Sequence, residues 1–267
     1  MVENKVNDAA TLLDETLVEN SQHDEALIAR GELVLARKDP INAITDFRSA
    51  LRNQPNSLVV LQNLARAHVL NNEYEQAIDN LKRAIRLDRK NALVRLQLAQ
   101  LLAANGNSDE SVSVYQDLLK ISPENLDARA ALFNLLMKKA DLESAASLAS
   151  ETKDINKDHY LGYFLAGTVF QAMKKFDDSI VEFELALNKK PDESQVLAAL
   201  VRSYLLNDKT KQAIKRVERV VKASPENVAA MNLLSEILLF DKQPKRALGV
   251  LIAAQAIKPD WINTYNN

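Results

Sequence analysis

Three histidines, a few paired carboxylates and one basic stripe are the residues of this 267-residue chain whose types invite chemistry. A metal centre needs several imidazole, thiolate or carboxylate ligands converging, and a nucleophile needs a neighbouring base. His23 and His159 have neither a second histidine nor a carboxylate at metal-ligand spacing, and His68 falls in a column otherwise held by Val34, Leu102, Leu136, Phe170, Tyr204 and Leu238. That column marks His68 as a side chain packed between helices. Cysteine is absent, which excludes disulfides, thiolate metal sites and cysteine nucleophiles. The five glycines, Gly31, Gly106, Gly162, Gly167 and Gly249, stand alone, so no phosphate-cradling loop is present. Asp177 with Asp178, and Asp109 with Glu110, fall at expected helix starts, where carboxylates complement the helix dipole. Lys211, Lys215, Arg219 and Lys222 share one helix face without interleaved aromatics, in a chain of net charge −2, and read as a solvated outer face. The expectation is no catalytic residue, no cofactor, no metal and no nucleic-acid partner: not an enzyme.

Apolar residues make up 47% of the chain, aromatics only 5%, with 5 Gly and 7 Pro, a balance that favours helix over sheet. No stretch approaches the roughly 18 apolar residues of a membrane span, and "MVENKVNDAATLLDE" lacks the basic-then-apolar pattern of a signal peptide. The expectation is a soluble helical protein, and composition leaves its compartment unknown.

A 34-residue period organises the helices. Ala43 recurs as Ala77, Ser111, Ala145, Ser179, Ala213 and Ala247, and one step back reaches Ala9. Gly31 steps to Ala65, Ala99, Phe133, Gly167, Val201 and Ser235, and Pro55 recurs as Pro123, Pro191, Pro225 and Pro259, with Arg89 and Lys157 at the two lapses. Each period predicts a first helix, a polar turn and a second helix. Pro40 and Pro244 fall where a second helix begins, a position at which proline sacrifices no helical hydrogen bond. Only small side chains let two helices cross closely, which accounts for the Gly31 and Ala43 columns, and the proline column is expected to stop the second helix.

A 34-residue helix–turn–helix with these columns resembles the tetratricopeptide repeat (TPR). The resemblance implies an all-α, right-handed α-solenoid of seven repeats: 24–57, 58–91, 92–125, 126–159, 160–193, 194–227 and 228–261. Residues 1–23 read as the second helix of a truncated repeat, and 262–267, with Tyr265 in the column of Leu27, as the start of a further truncated one. Repeat 126–159 departs most, with Phe133 in the small column, Ala149 in the Phe47 column, Thr152 in the Ala50 column and Lys157 for proline, and is expected to be looser or re-angled. In texture, "AITDFRSALRNQPNS" also resembles bacterial TPR arrays of cell-envelope exopolysaccharide systems.

In such a superhelix the first helices line a concave groove, through residues one, four, eight and eleven after each repeat start. The first two repeats place Ile28, Leu35, Val59, Gln62, Arg66 and Val69 there, and the third and fourth Leu93, Leu96, Gln100, Asn134 and Met137. The last three add Leu161, Phe164, Thr168, Arg202, Leu205, Asn232, Glu236 and Leu239. An apolar, amide-bearing channel suits a peptide or helix, and Phe164 is its aromatic anchor. The lysine- and asparagine-rich clamp for chaperone C-termini is not matched, since only Asn63 fits it. The expected function is a non-enzymatic scaffold that binds a protein or peptide along this groove, within a larger bacterial assembly. The alternative is a structural module that self-associates end to end, because both chain ends look uncapped and the last repeat lacks a covering helix.

Overall fold

The structure is a computed structural model that describes residues 2–258, and among these every regular element is an α-helix. Two compact units divide the chain, residues 1–128 and 129–267. In the first, α1 (Val2–Glu19) precedes three antiparallel hairpins: α2 (Asp24–Ala36) with α3 (Pro40–Asn53), α4 (Leu58–Leu70) with α5 (Tyr74–Leu87), and α6 (Ala92–Ala104) with α7 (Ser108–Ile121). The division falls within α8 (Leu126–Lys138), which α9 (Leu142–Ile155) follows. The second unit continues with α10 (Tyr160–Ala172), α11 (Phe176–Lys189), α12 (Ser194–Leu206), α13 (Thr210–Ala223), α14 (Val228–Phe240) and α15 (Pro244–Ile257). Within each unit a helix packs on the one before and the one after it, and first helices also touch first helices, as α2 with α4 and α12 with α14. Each unit is thus a short solenoid. The expectations for Pro259, Trp261, Tyr265 and the segment 262–267 lie outside the described residues.

The turns inside the hairpins share one backbone device. Lys38, Asn72, Gly106, Ala140, Lys174, Asp208 and Lys242, spaced 34 apart, all have positive φ, from 55 to 86°. The next residue's amide reaches back to the carbonyl five positions earlier, as in Glu73 to His68 at 2.8 Å and Lys175 to Phe170 at 2.8 Å. This left-handed cap closes the last turn of each first helix by satisfying an orphan carbonyl. Pro40 and Pro244 open α3 and α15 at the first helical position. At the other end, α5 and α9 stop at Leu87 and Ile155, in register with α3 at Asn53 and α7 at Ile121, although Arg89 and Lys157 replace the proline. The proline therefore reinforces the stop without being its cause.

Side-chain size sets the helix crossings. All seven residues of the Ala43 column, from Ala43 to Ala247, are fully buried. Its two serines satisfy their hydroxyls on main chain: Ser111 Oγ donates to the Ala99 carbonyl at 2.7 Å, and Ser179 Oγ to that of Phe176 at 2.9 Å. Across each hairpin the Gly31 column meets the residue sixteen later. A Cβ on Gly31 would stand 2.5 Å from Cε1 of Phe47, and one on Gly167 2.7 Å from Cδ1 of Phe183. The sequence pairs run Gly31–Phe47, Ala65–Leu81, Ala99–Tyr115, Phe133–Ala149, Gly167–Phe183 and Val201–Val217, with one large partner or two medium ones each time. Phe133 and Ala149 exchange the usual sizes, and both are at least 98% buried. Burial is kept at these two columns with the two sizes swapped, which is compatible with conserved volume, and the looser or re-angled packing expected of residues 126–159 produces no exposure there.

Candidate functional site

The structure gives the three histidines and Asp177 structural partners. His23 and His159 stand just before α2 and α10, and their Nδ1 atoms accept the amides of Ala26 at 3.3 Å and Leu161 at 3.2 Å. At the same register Asn91, Asn125 and Asn227 accept through their side-chain oxygens, at 3.1, 2.9 and 2.9 Å. The two imidazoles are N-caps. His68 is buried on α4, with Nδ1 2.5 Å from Oε2 of Glu73, the residue before α5. This hydrogen bond holds the Glu73 carboxyl below the usual carboxylate range. Asp177 accepts from Lys209 and from Asn207, linking the start of α11 to the turn before α13, and the Lys209 bond holds its carboxyl low. Among the described residues no three His, Cys or carboxylate side chains gather as a metal site. Lys211, Lys215, Arg219 and Lys222 are exposed on α13.

Buried charges were not foreseen, Arg129 above all. Arg129 on α8, in the column of Leu27, is 97% buried, with Nη1 3.3 Å from Oγ1 of Thr152 and 3.8 Å from Oε2 of Glu151. Burial pushes its pKa down and Glu151 opposes this. Thr152 Oγ1 itself donates to the Leu148 carbonyl at 2.6 Å. Arginine in one apolar column and threonine in another are two halves of one local arrangement, and only the threonine half drew notice in the sequence.

In the first unit the exposed face of the first helices carries an open cleft of 540 Å³. Gln62, Ala65, Arg66, Val69 and Leu70 of α4 line one side, and Gln97, Gln100, Leu101 and Ala104 of α6 the other, with Leu81 of α5 behind. Gln62 Nε2 donates to Gln97 Oε1 across it at 3.2 Å. Val59 and Leu93 are exposed, whereas Ile28 and Leu96 are half-buried. Leu35 is a correction: it is only 4% exposed and packs in a core cluster with Leu17 and Leu27, so it does not line an open face. Asn63, the lone match to a carboxylate clamp, is buried and donates to Glu32 at 2.8 Å.

In the second unit Asn134, Arg202, Glu236 and Leu239 are exposed, while Met137, Leu205 and Asn232 are half-buried. Leu161 is a second correction, 7% exposed, because Gly162 beside it lets α10 approach the α9 backbone at Lys153. Phe164 is half-buried with its ring centroid 5.9 Å from that of Phe183, so its ring already has a partner in the core. Thr168 spends its hydroxyl on the Phe164 carbonyl at 2.8 Å. Besides Val59, Val69, Leu93 and Leu239, a further column stands open: Leu70, Leu206 and Phe240, twelve after the repeat start, with Phe240 66% exposed. That column follows the eleventh position on the helix, and its large apolar members Leu70, Leu206 and Phe240 were the overlooked signal.

The Tetratricopeptide repeat family pattern matches residues 2–57, 63–125 and 198–260, and a second pattern of the same description matches 102–166. Anaphase-promoting complex subunit 7 of Arabidopsis thaliana is 26% identical over 103 residues, covering 39% of this chain and 18% of that protein's length. A tetratricopeptide repeat protein from Parabacteroides merdae is similar in structure, at TM-score 0.59 and 18% identity, over 89% of this chain and 94% of that one. YrrB, described as a TPR protein with an unusual peptide-binding site, aligns at TM-score 0.54 and 17% identity over 71% of this chain and 98% of its own. Identities this low make the structural likenesses statements about fold alone. The exopolysaccharide likeness gains no support from these matches. With its 34-residue columns, its stacked hairpins and family matches over more than half its length, the chain belongs to the tetratricopeptide repeat family.

Proposed function

We propose that this protein is a non-enzymatic scaffold that holds a peptide segment of a partner protein against the first-helix face of residues 1–128. The cleft between α4 and α6 carries the reading. It presents the exposed apolar side chains Val69 and Leu70 beside the amides of Gln62, Gln97 and Gln100 and the guanidinium of Arg66. Amides pair an extended backbone while apolar surface receives its side chains, the division of labour that peptide grooves use. In the second unit Leu239 and Phe240 offer a comparable exposed apolar pair on α14. A place in a larger assembly accords with the match to a subunit of the anaphase-promoting complex.

The test is selection of a random peptide library on the wild-type protein, followed by affinity measurement on Val69→Ser/Leu70→Ser. Selected peptides should lose about tenfold or more in affinity, equivalent to about 1.4 kcal/mol, with helicity unchanged. Peptides that bind both proteins equally would move the site off this cleft.

A further inference from the structure

The outer, second helices are stitched together by a charge ladder. Lys82 on α5 pairs with Glu110 on α7 at 2.6 Å, Glu184 on α11 with Arg216 on α13 at 2.9 Å, and Glu218 on α13 with Arg246 on α15 at 2.5 Å. Lys82, Glu184 and Glu218 occupy one column of the 34-residue repeat, and the answering charge stands 28 or 32 residues later. Arg48 on α3 belongs to that column as well, as do the uncharged Gln116 and Ser150, so that among the column's charged members Arg48 is the one without an answering charge. The residues 28 and 32 beyond it are Gln76 and Asn80, and neither is charged. Arg48 therefore has no carboxylate within 4 Å, and neither does Arg52 on α3 or Arg83 on α5.

These three guanidiniums line one open cleft of 690 Å³ between α3 and α5, with Leu51 and Pro55 as apolar wall. Thr45 and Ser49 also line it, but their hydroxyls already donate to the carbonyls of Ile41 and Thr45. Arg52 gives one hydrogen bond to Ser49 Oγ at 3.0 Å, which leaves most of the guanidinium donors open. No acidic side chain lines this cleft. Arg48 and Arg83 also border the adjoining cleft, which carries Glu75 and Asp79, and Arg48 contributes to holding the Glu73 carboxyl low. None of these carboxylates pairs with them within 4 Å, and Glu75 already accepts from Asn105 at 3.0 Å. Three like charges share this space in a chain whose net charge is −2, and a bound anion relieves their repulsion. No aromatic side chain lines the cleft to stack a base.

From this break in the ladder we infer a second docking site, on the face opposite in role to the peptide cleft: Arg48, Arg52 and Arg83 receive an acidic peptide segment of a partner protein, whose aspartate or glutamate side chains supply the carboxylates that Gln76 and Asn80 do not. Fluorescence anisotropy with labelled octaglutamate tests it. The wild type should bind octaglutamate in a salt-sensitive manner and fail to bind octaglutamine. Arg48→Gln/Arg83→Gln should weaken octaglutamate binding about tenfold or more. Gln76→Glu keeps all three arginines but restores the missing rung, as Glu110 does for Lys82, and should weaken binding as well without lowering the thermal midpoint. Val69→Ser/Leu70→Ser and Lys211→Gln/Lys215→Gln should leave it unchanged, which separates this site from the peptide cleft and from the α13 stripe. The inference is overturned by absent octaglutamate binding, by full binding in either cleft variant, by loss on changing Lys211 and Lys215, or by tighter capture of a single-stranded oligodeoxythymidylate.

Discussion

At the residue scale, one substitution has opposite consequences at different glycines. Gly31→Ala and Gly167→Ala drive a methyl into the rings of Phe47 and Phe183, both fully buried and unable to yield, so each should cost about 1–3 kcal/mol. Gly249→Ala on α15 meets no atom within 4 Å and should stabilise by about 0.5–1 kcal/mol through helix propensity. Urea titration of the three variants decides it, and a uniform sign would refute the crossing geometry. How legible such residues were differed by type. The small columns and the packed place of His68 follow from periodicity, because a column that excludes bulk must face another backbone. The capping role of His23 and His159 was equally available, since Asn occupies their register elsewhere. Exposure within a column was not available. Leu35 and Val69 share a column, yet one is buried and the other open, because that outcome depends on how closely the neighbouring helices approach. Leu161 is covered for the same reason, through the contact at Gly162.

At the element scale, the exchanged pair in α8 and α9 calls for a double-mutant cycle. Phe133→Ala should cost about 3–5 kcal/mol by opening a cavity, and Ala149→Phe about 1–3 kcal/mol by overpacking. Combined, they recreate the usual order of sizes and should cost clearly less than their sum, which is the signature of residues in contact. Strict additivity would show that the two do not share a volume. The hairpin turns make a second prediction. Ala140 and Lys174 hold positive φ without the freedom that Gly106 enjoys at the same register. Ala140→Gly and Lys174→Gly should each stabilise by up to about 1 kcal/mol, and Gly106→Ala should cost a similar amount, read by thermal unfolding. The polar turns themselves were evident from composition. Their shared handedness was not, because lysine and alanine carry no left-handed signature, and only the helix cap they close imposes it.

At the scale of the whole molecule, each helix packs only on helices close to it in sequence, so a defect should stay near its origin. Ala77→Leu should accelerate amide exchange across α4 and α5 and leave α12–α15 at wild-type protection; acceleration throughout would mean cooperativity beyond neighbours. The solenoid class was legible because 34-residue phase survives without insertion, whereas the peptide cleft rests on three-dimensional openness that columns alone do not encode. The recurring positive-φ turn also bears on inheritance. Every hairpin turn offers the same backbone conformation at the same phase, so the turns are interchangeable crossover points for genetic recombination. Excising residues 73–106 would join Asn72 directly to Asn107, a left-handed residue to the one that normally follows such a residue, with every later column in place. Removing one residue fewer would rotate the next helix by about 100° and turn its apolar face to water. Whole-repeat excision or duplication therefore leaves every later column in place, and this protein's lineage is expected to vary in quanta of one hairpin.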